Sequence, residues 1–279
     1  MDEPWNRPDI KRKREQRLNK IMGKLSRSQP PKRQKQIIPG ATTDEKGMTM
    51  ERLRQKYPGR NALGMYIEEP EAFPPFWNVI YYNDDFVAIR DLYPKSSVHL
   101  LLLPRSEAFS KMHPLKALSS DAGFLAKVRE EAVTLKRIVA SELRRMYGEE
   151  SASEVERTKA LLDPDSVDEL PKGRDWEEGI KVGVHATPSM NHLHIHFMSP
   201  DNVGRSMKTA HHYLSFNTGF LVRLEEFPLA ETDPRWKGGQ EFFSSQLTCW
   251  RCQEPFQSAK AFSKLKSHLV QEFEEWKKE

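Results

Sequence analysis

Asn191-His192-Leu193-His194-Ile195-His196-Phe197-Met198 is the stretch whose reading decides this chain. Three histidines alternate with three apolar residues. In a β-strand successive side chains point to opposite faces. His192, His194 and His196 then share one face, and Leu193, Ile195 and Phe197 the other. A helix would spread the same imidazoles over more than half its circumference. The apolar face can pack on a core. The other face carries three imidazoles that titrate close to neutral pH. The chain has only nine histidines, so three in one strand is local design and not composition. A His-x-His pair also suits zinc, but such a site needs further ligands from elsewhere. Catalysis is the better reading because of the flanks.

Pro188-Ser189-Met190 precedes the strand, and Lys208-Thr209-Ala210-His211-His212-Tyr213-Leu214-Ser215-Phe216-Asn217-Thr218 follows it. Together these residues resemble the His-φ-His-φ-His-φ-φ signature of the histidine triad family of nucleotide hydrolases and transferases. Within it they look like the fungal type of the aprataxin branch, whose members remove AMP from adenylated 5′-phosphate DNA ends. The resemblance runs from near Leu63 to the C-terminus. It implies an α+β histidine triad fold followed by a small zinc finger. It also implies a covalent route in which His194 is the nucleophile, a fitting role for an imidazole that is largely neutral at pH 7. His192 and His196 are expected to orient that ring and bond the phosphate oxygens. Ser189 stands where the family has a phosphate-binding hydroxyl, and His212 where a histidine assists the departing DNA phosphate. Asp91-Leu92-Tyr93-Pro94-Lys95, followed by His99, resembles the family's nucleotide segment. Asp91 would hold the ribose and His99 would face the phosphates. Read on its own, Asp91 is equally a strand-end turn residue.

The chain has 279 residues, 37% hydrophobic and 30% charged, and a net charge of +4. No run approaches the ~20 apolar residues of a membrane span, and no apolar signal-peptide core opens it. Both cysteines lie in one Cys-x-x-Cys, which excludes a disulfide framework and fits a reducing compartment. Residues 1–36 hold twelve Lys/Arg against four Asp/Glu. Residues 1–60 therefore read as a basic, disordered tail suited to nuclear import or phosphate contact. A nuclear location and a monomeric state are expected.

The globular part is read as 61–225. Strands are expected at Trp77–Tyr82, Phe86–Arg90, Val98–Leu103, Ile180–Ala186 and the triad itself, a mostly antiparallel five-stranded sheet. Apolar residues recurring from Phe124 to Met146 predict a long amphipathic helix over Ser119–Tyr147, with Ser120 or Asp121 at its start. Glu149–Glu178 breaks that pattern with eleven acidic residues and four basic ones, and reads as a surface insertion.

Residues 226–279 read as a linker and DNA-binding finger. Cys249-x-x-Cys252 is followed sixteen residues later by His268, which is zinc-finger spacing. Glu272, one helical turn beyond, stands where animal members of the branch have a second histidine. A carboxylate is an acceptable fourth ligand. One structural zinc and no catalytic metal are expected. Lys95, Lys208 and finger lysines Lys260, Lys264 and Lys266 are candidates for the DNA backbone. The finger is expected to serve DNA engagement alone, from a domain separate from the triad. Two other readings compete: a general triad hydrolase acting on small adenylates such as AMP-lysine, and a non-catalytic zinc-finger protein. The intact triad counts against the second. The finger and the His212 segment count against the first.

Overall fold

The computed structural model describes residues 50–73, 78–163 and 170–279. Residues 1–49 of the expected tail and the Trp77 end of the first expected strand lie outside the described residues, whereas Met50–Lys56, expected to be disordered, is a helix with Leu53 buried.

Eight α-helices and eight strands follow in order among the described residues, with short 3-10 turns between them: α1 Met50–Lys56, α2 Gly64–Glu68, β1 Val79–Tyr82, β2 Phe86–Arg90, β3 His99–Pro104, α3 Glu107–Ser110, α4 Pro114–Ser120, α5 Ala122–Tyr147, α6 Ala152–Leu162, β4 Lys181–His185, β5 Ile195–Met198, α7 Ala210–Asn217, β6 Leu221–Arg223, β7 Leu247–Thr248, β8 Pro255–Phe256 and α8 Ala261–Lys278. The main sheet has the order β1-β2-β3-β5-β4-β6, every neighbouring pair antiparallel. It holds six strands where five were expected. The sixth, β6, lies in a stretch too short for periodicity to reveal, and it exists because β4 offers it a free edge.

Sequence alternation sorts the central strands between two cores. Phe86, Ala88, Leu100 and Leu102 face the main core with α4 and α5. Val87, Ile89, Leu101 and Leu103 face a second core with Leu53, Leu63, Met65 and Tyr66. A strand apolar on every residue is thus a strand covered on both faces. Leu193, Ile195 and Phe197 all enter the main core, as their alternation requires. Helix α5 begins where Asp121 accepts the amide of Phe124 at 2.7 Å, a side-chain N-cap. Its buried residues, from Phe124 through Val128, Leu135 and Val139 to Leu143, follow the predicted helical spacing.

The triad strand is shorter than expected. Its regular part is Ile195–Met198, whose last register partners are Leu102 on β3 and Gly183 on β4, although those strands run on to Pro104 and His185. Residues before it are held by other means. Leu193 donates to the Ser110 carbonyl at 2.8 Å and Asn191 to the Arg60 carbonyl at 2.9 Å.

Thr43–Ser151 and Asp175–Glu279 form one compact unit, and Ala152–Arg174 belongs to another. The ends of the acidic segment are therefore integral to the fold. Trp176 is buried in the main core and Lys277 bridges to Glu150 at 2.9 Å. The middle of the segment contains α6. Replacing residues 153–172 with a short Gly/Ser linker should leave catalytic rate within a few-fold of wild type. Trp176→Ala should instead cost ~3–5 kcal/mol as a large-to-small core change. Thermal melts and AMP-release rates of the two variants check this contrast.

The finger is likewise not independent. Its β7–β8 hairpin and α8 pack with Met207, Tyr213 and Leu214 in one core. Phe273 and Trp276, at the end of α8, join the main core beside Tyr147. The boundary drawn at residue 226 is not a boundary between separate cores.

Candidate active site and metal centre

A cleft of about 360 Å³ opens on the second-core side of the sheet. Its apolar lining includes Ala62, Leu63, Met65, Ile89, Leu101 and Met190. Its polar lining includes Asp91, Lys95, His185, Ser189, His194, His196, His211 and His212. An apolar slot continuous with a cluster of cationic and hydrogen-bonding groups suits a nucleobase with a phosphate behind it. The Leu63–Tyr66 turn supplies the slot. It folds as α2 with Met65 and Tyr66 buried.

Fixed hydrogen bonds assign the proton on each imidazole. His194 Nδ1 lies 2.8 Å from the His192 carbonyl. A carbonyl only accepts, so Nδ1 carries the proton and Nε2 keeps its lone pair. His99 Nδ1 accepts the backbone amide of Lys95 at 3.2 Å, and His99 Nε2 lies 3.0 Å from His196 Nδ1. The amide forces His99 to protonate at Nε2 and donate to His196. His196 then carries its proton on Nε2, which is buried without a protein partner. The relay thus presents His196 as a donor, the protonation a phosphate oxygen needs. His212 Nδ1 accepts the Lys208 amide at 3.2 Å, which makes its Nε2 a donor as well.

All these rings are held neutral. Burial pushes His194 and His196 down, and it lowers His99 to about 4 despite the nearby Asp91 carboxylate. Burial also lowers the Lys95 ammonium, with Lys208 adding like charge and Asp91 opposing both.

In the finger, Cys249, Cys252, His268 and Glu272 each bring a ligand atom within 4.8 Å of the others. Cys252 Sγ lies 3.1 Å from His268 Nε2, which is 3.4 Å from Glu272 Oε1. Bonds of ~2.0–2.3 Å to a tetrahedral ion set its ligands about 3.3–3.8 Å apart, so the group fits zinc. Arg251 Nη1 donates to Glu272 Oε2 at 2.7 Å, and the Arg251 amide points at Cys249 Sγ at 3.5 Å. These contacts orient the ligands from outside, as metal sites require. Asp91, His99 and His196 also converge. There His99 Nδ1 receives the Lys95 amide and lies 3.4 Å from Asp91 Oδ2, while its Nε2 lies 3.0 Å from His196 Nδ1.

The HIT domain family matches residues 77–203, and the C2HE / C2H2 / C2HC zinc-binding finger family matches residues 217–275. The aprataxin-like protein of Schizosaccharomyces pombe is 36% identical over 218 residues, covering 78% of this chain and 82% of that protein. This chain belongs to the aprataxin family. The aprataxin-like protein of Saccharomyces cerevisiae is 33% identical, over 77% of this chain and 95% of its own. Among solved structures, aprataxin ortholog Hnt3 in complex with DNA superposes with a TM-score of 0.61 at 34% identity, covering 78% of this chain and 96% of that one. Hnt3 in complex with DNA and guanosine gives 0.60 at 33%, with the same coverage.

On this aprataxin scaffold most of the residues singled out in the sequence converge. Asp91, Lys95, Ser189, His194, His196 and His212 line one cleft. Three sit elsewhere. The His192 ring is outside the cleft, edge-on to Tyr57 at 6.4 Å, and it is the carbonyl of His192 that orients His194. His99 lies behind His196 and does not face the cleft. Lys208 contributes its amide to His212 and its charge to the neighbourhood of Lys95. Asp91 lines the cleft, and its Oδ1 accepts the Tyr93 amide at 2.7 Å as a strand-end turn residue does.

His185 was missed by the sequence reading. It lines the cleft, its ring centroid lies 4.6 Å from that of His196, and its Nε2 has no partner. The Ser215 backbone holds the other ring nitrogen, and burial keeps the ring neutral. Its position at the end of β4, seven residues before His192, was the available signal.

Two expectations follow. Protons must be forced onto buried neutral histidines in the folded state, while the unfolded chain takes them up near pH 6.5. Stability conferred by these rings is complete above that pH and is lost as pH falls from 6.5 towards the folded value of about 4 for His99. Melting temperature measured from pH 7.5 to 4.5 should fall mainly below 6.5. Secondly, a Cβ on Gly204 would lie 2.4 Å from the Lys95 carbonyl carbon and 2.5 Å from Pro94 O. Gly204→Ala must displace the turn whose amide sets the His99 tautomer. We expect a cost of ~1–3 kcal/mol in stability, as for other overpacked sites, together with a fall in kcat. Calorimetry and steady-state kinetics test the pair.

Proposed function

We propose that this aprataxin-family protein is a hydrolase that removes AMP from adenylated 5′-phosphate DNA ends, the aborted products of ligation, in DNA single-strand break repair. The observation that carries the reading is His194 itself. Its Nδ1 proton is fixed by the His192 carbonyl, so Nε2 offers a lone pair inside a cleft shaped for a nucleoside monophosphate. His194 Nε2 attacks the AMP phosphorus, the pyrophosphate bond breaks, and the DNA 5′-phosphate leaves. Water then hydrolyses the His194–AMP bond and releases AMP. Ser189, Lys95 and the His196 Nε2–H stabilise the phosphate oxygens. Such fixed donors act mainly through positioning and electrostatics. His212 and His185 flank the departure side, His212 as a donor. Asp91, also on the cleft wall, holds the ribose.

The route runs through imidazoles and requires no catalytic metal. Zinc belongs to the finger, as one structural ion on Cys249, Cys252, His268 and Glu272. The exposed Lys260, Lys264 and Lys266 then serve the DNA backbone. Support for DNA as the partner comes from the DNA-bound Hnt3 structures. The basic tail supports a nuclear location, and we expect a monomer. The alternative substrate class, small adenylates such as AMP-lysine, shares the cleft and lacks a use for the finger. Measuring AMP release from nicked adenylated DNA and from AMP-lysine side by side decides between them. A preference for the small substrate would reject DNA as the target.

A further inference from the structure

We infer that helix α7 is held in place by the zinc finger, and that Phe243 and Tyr213 are positioning residues through which the finger reaches His211 and His212. The inference rests on the function proposed above, because it concerns the same cleft. Helix α7 has two faces. His211, His212 and Ser215 line the cleft. Tyr213 and Leu214 are buried in a core shared with Leu247, Cys249 and Leu265 of the finger.

Two contacts make the link specific. The Tyr213 hydroxyl donates to the Thr248 carbonyl at 2.8 Å, and Thr248 immediately precedes the ligand Cys249. Phe243 lies face to face on His211, with ring centroids 3.6 Å apart and planes 12° from parallel. Phe243 also touches Phe220 of the cleft wall, at 4.6 Å between centroids. It also packs against the core that α7 shares with the finger.

The energetics favour dependence over independence. A helix of eight residues is too short to hold itself together and takes its position from packing. The two-stranded hairpin and single helix of the finger are a small core that zinc completes. Without the ion, the Cys249 knuckle loses its constraint, and Thr248 and Leu247 move with it. Tyr213 then loses its acceptor and Phe243 its backing. A shift of ~1 Å at a positioned group can cost up to ~10²-fold in rate. Finger and cleft therefore act together even on a substrate that never touches the finger.

The test uses the full-length protein with AMP-lysine, which carries no DNA. We expect Phe243→Ala to lower kcat ~10-fold with KM within a factor of two, as displacement of a catalytic group predicts. Phe243→Tyr should restore the rate, because it keeps the ring that stacks on His211. Chelation of the finger metal, with folding confirmed by circular dichroism, should act in the same direction as Phe243→Ala. In both cases the imidazole NMR signals of His211 and His212 should shift, and Tyr213→Phe should move them less. If Phe243→Ala does not fold, the chelated wild type decides. Wild-type kcat on AMP-lysine together with unmoved His211 and His212 signals in the chelated protein would overturn the proposal. If wild-type protein released AMP from neither substrate, the functional reading would fall, while the NMR signals would still report whether finger and helix are coupled.

Discussion

His194→Ala will abolish AMP release while leaving affinity for DNA nearly unchanged. The structure makes this a demanding statement. Several imidazoles crowd the phosphate end, yet their tautomers differ. His196 is fed a hydrogen bond by His99, and His212 by the Lys208 amide, so each presents an N–H to the cleft. Of His194, His196 and His212, only His194 presents a lone pair held in place by a carbonyl; His185, held by the Ser215 backbone, also keeps a free Nε2, and it is the triad position that assigns the attack to His194. Removing a covalent nucleophile should lower kcat by ~10⁴–10⁶-fold. Burial also lowers the His194 pKa. The neutral, nucleophilic form therefore persists below pH 6.5, and the acidic limb of kcat/KM should lie below the ordinary histidine range. Acid-quenched wild type incubated with radiolabelled adenylated DNA should retain label on the protein, and His194→Ala should retain none. Turnover by the purified variant within ten-fold of wild type would remove His194 from its role.

The second large effect belongs to the finger. Cys252→Ser should release the metal, weaken binding to adenylated DNA by at least ~10-fold, and lower the melting temperature of the whole compact unit. Structural zinc contributes apparent free energies of ~10–16 kcal/mol in small finger peptides. Here part of that reaches the main fold, because Cys249 is fully buried and shares a core with Tyr213 and Leu214. At ~2–4 °C per kcal/mol for a chain of this size, a drop of ~10 °C or more is expected. Metal analysis should return about one zinc per wild-type chain for a closed four-ligand site. A zinc-free wild type that binds adenylated DNA normally would contradict the assignment, as would a Cys252→Ser protein with an unchanged melting curve and full DNA affinity.

Much of this architecture is written in local pattern. The alternation of His192 to Phe197 announces which side chains enter the core, because the period of a strand is two whatever surrounds it. The three- and four-residue recurrence from Phe124 to Leu143, with Asp121 before it, marks the long helix for the same kind of reason. The metal ligands are legible because a knuckle and one helical turn fix their spacing within short stretches of chain. The Lys95 and His212 segments could be singled out by resemblance, but what they do to each other could not.

What only the tertiary structure decided are relations across long separations in sequence. The alternating pattern puts His192 and His194 on one face, but the ladder pairing of β5 begins only at Ile195, and the His192 ring sits against Tyr57 while its carbonyl orients His194. His99 reads as a phosphate contact from its segment, whereas strand pairing with β5 sets it behind His196, 97 residues away. His185 enters the cleft because β4 lies beside β5, a fact of strand order that no local period encodes. The finger looks like a separate module in sequence because its ligands are contiguous there. Packing joins it to helix α7, since a finger core this small and a helix this short each gain by burying their apolar faces against the other. Spacing along the chain fixes which chemical groups this protein owns, and the close packing of distant segments fixes which nitrogen of each histidine is free to react.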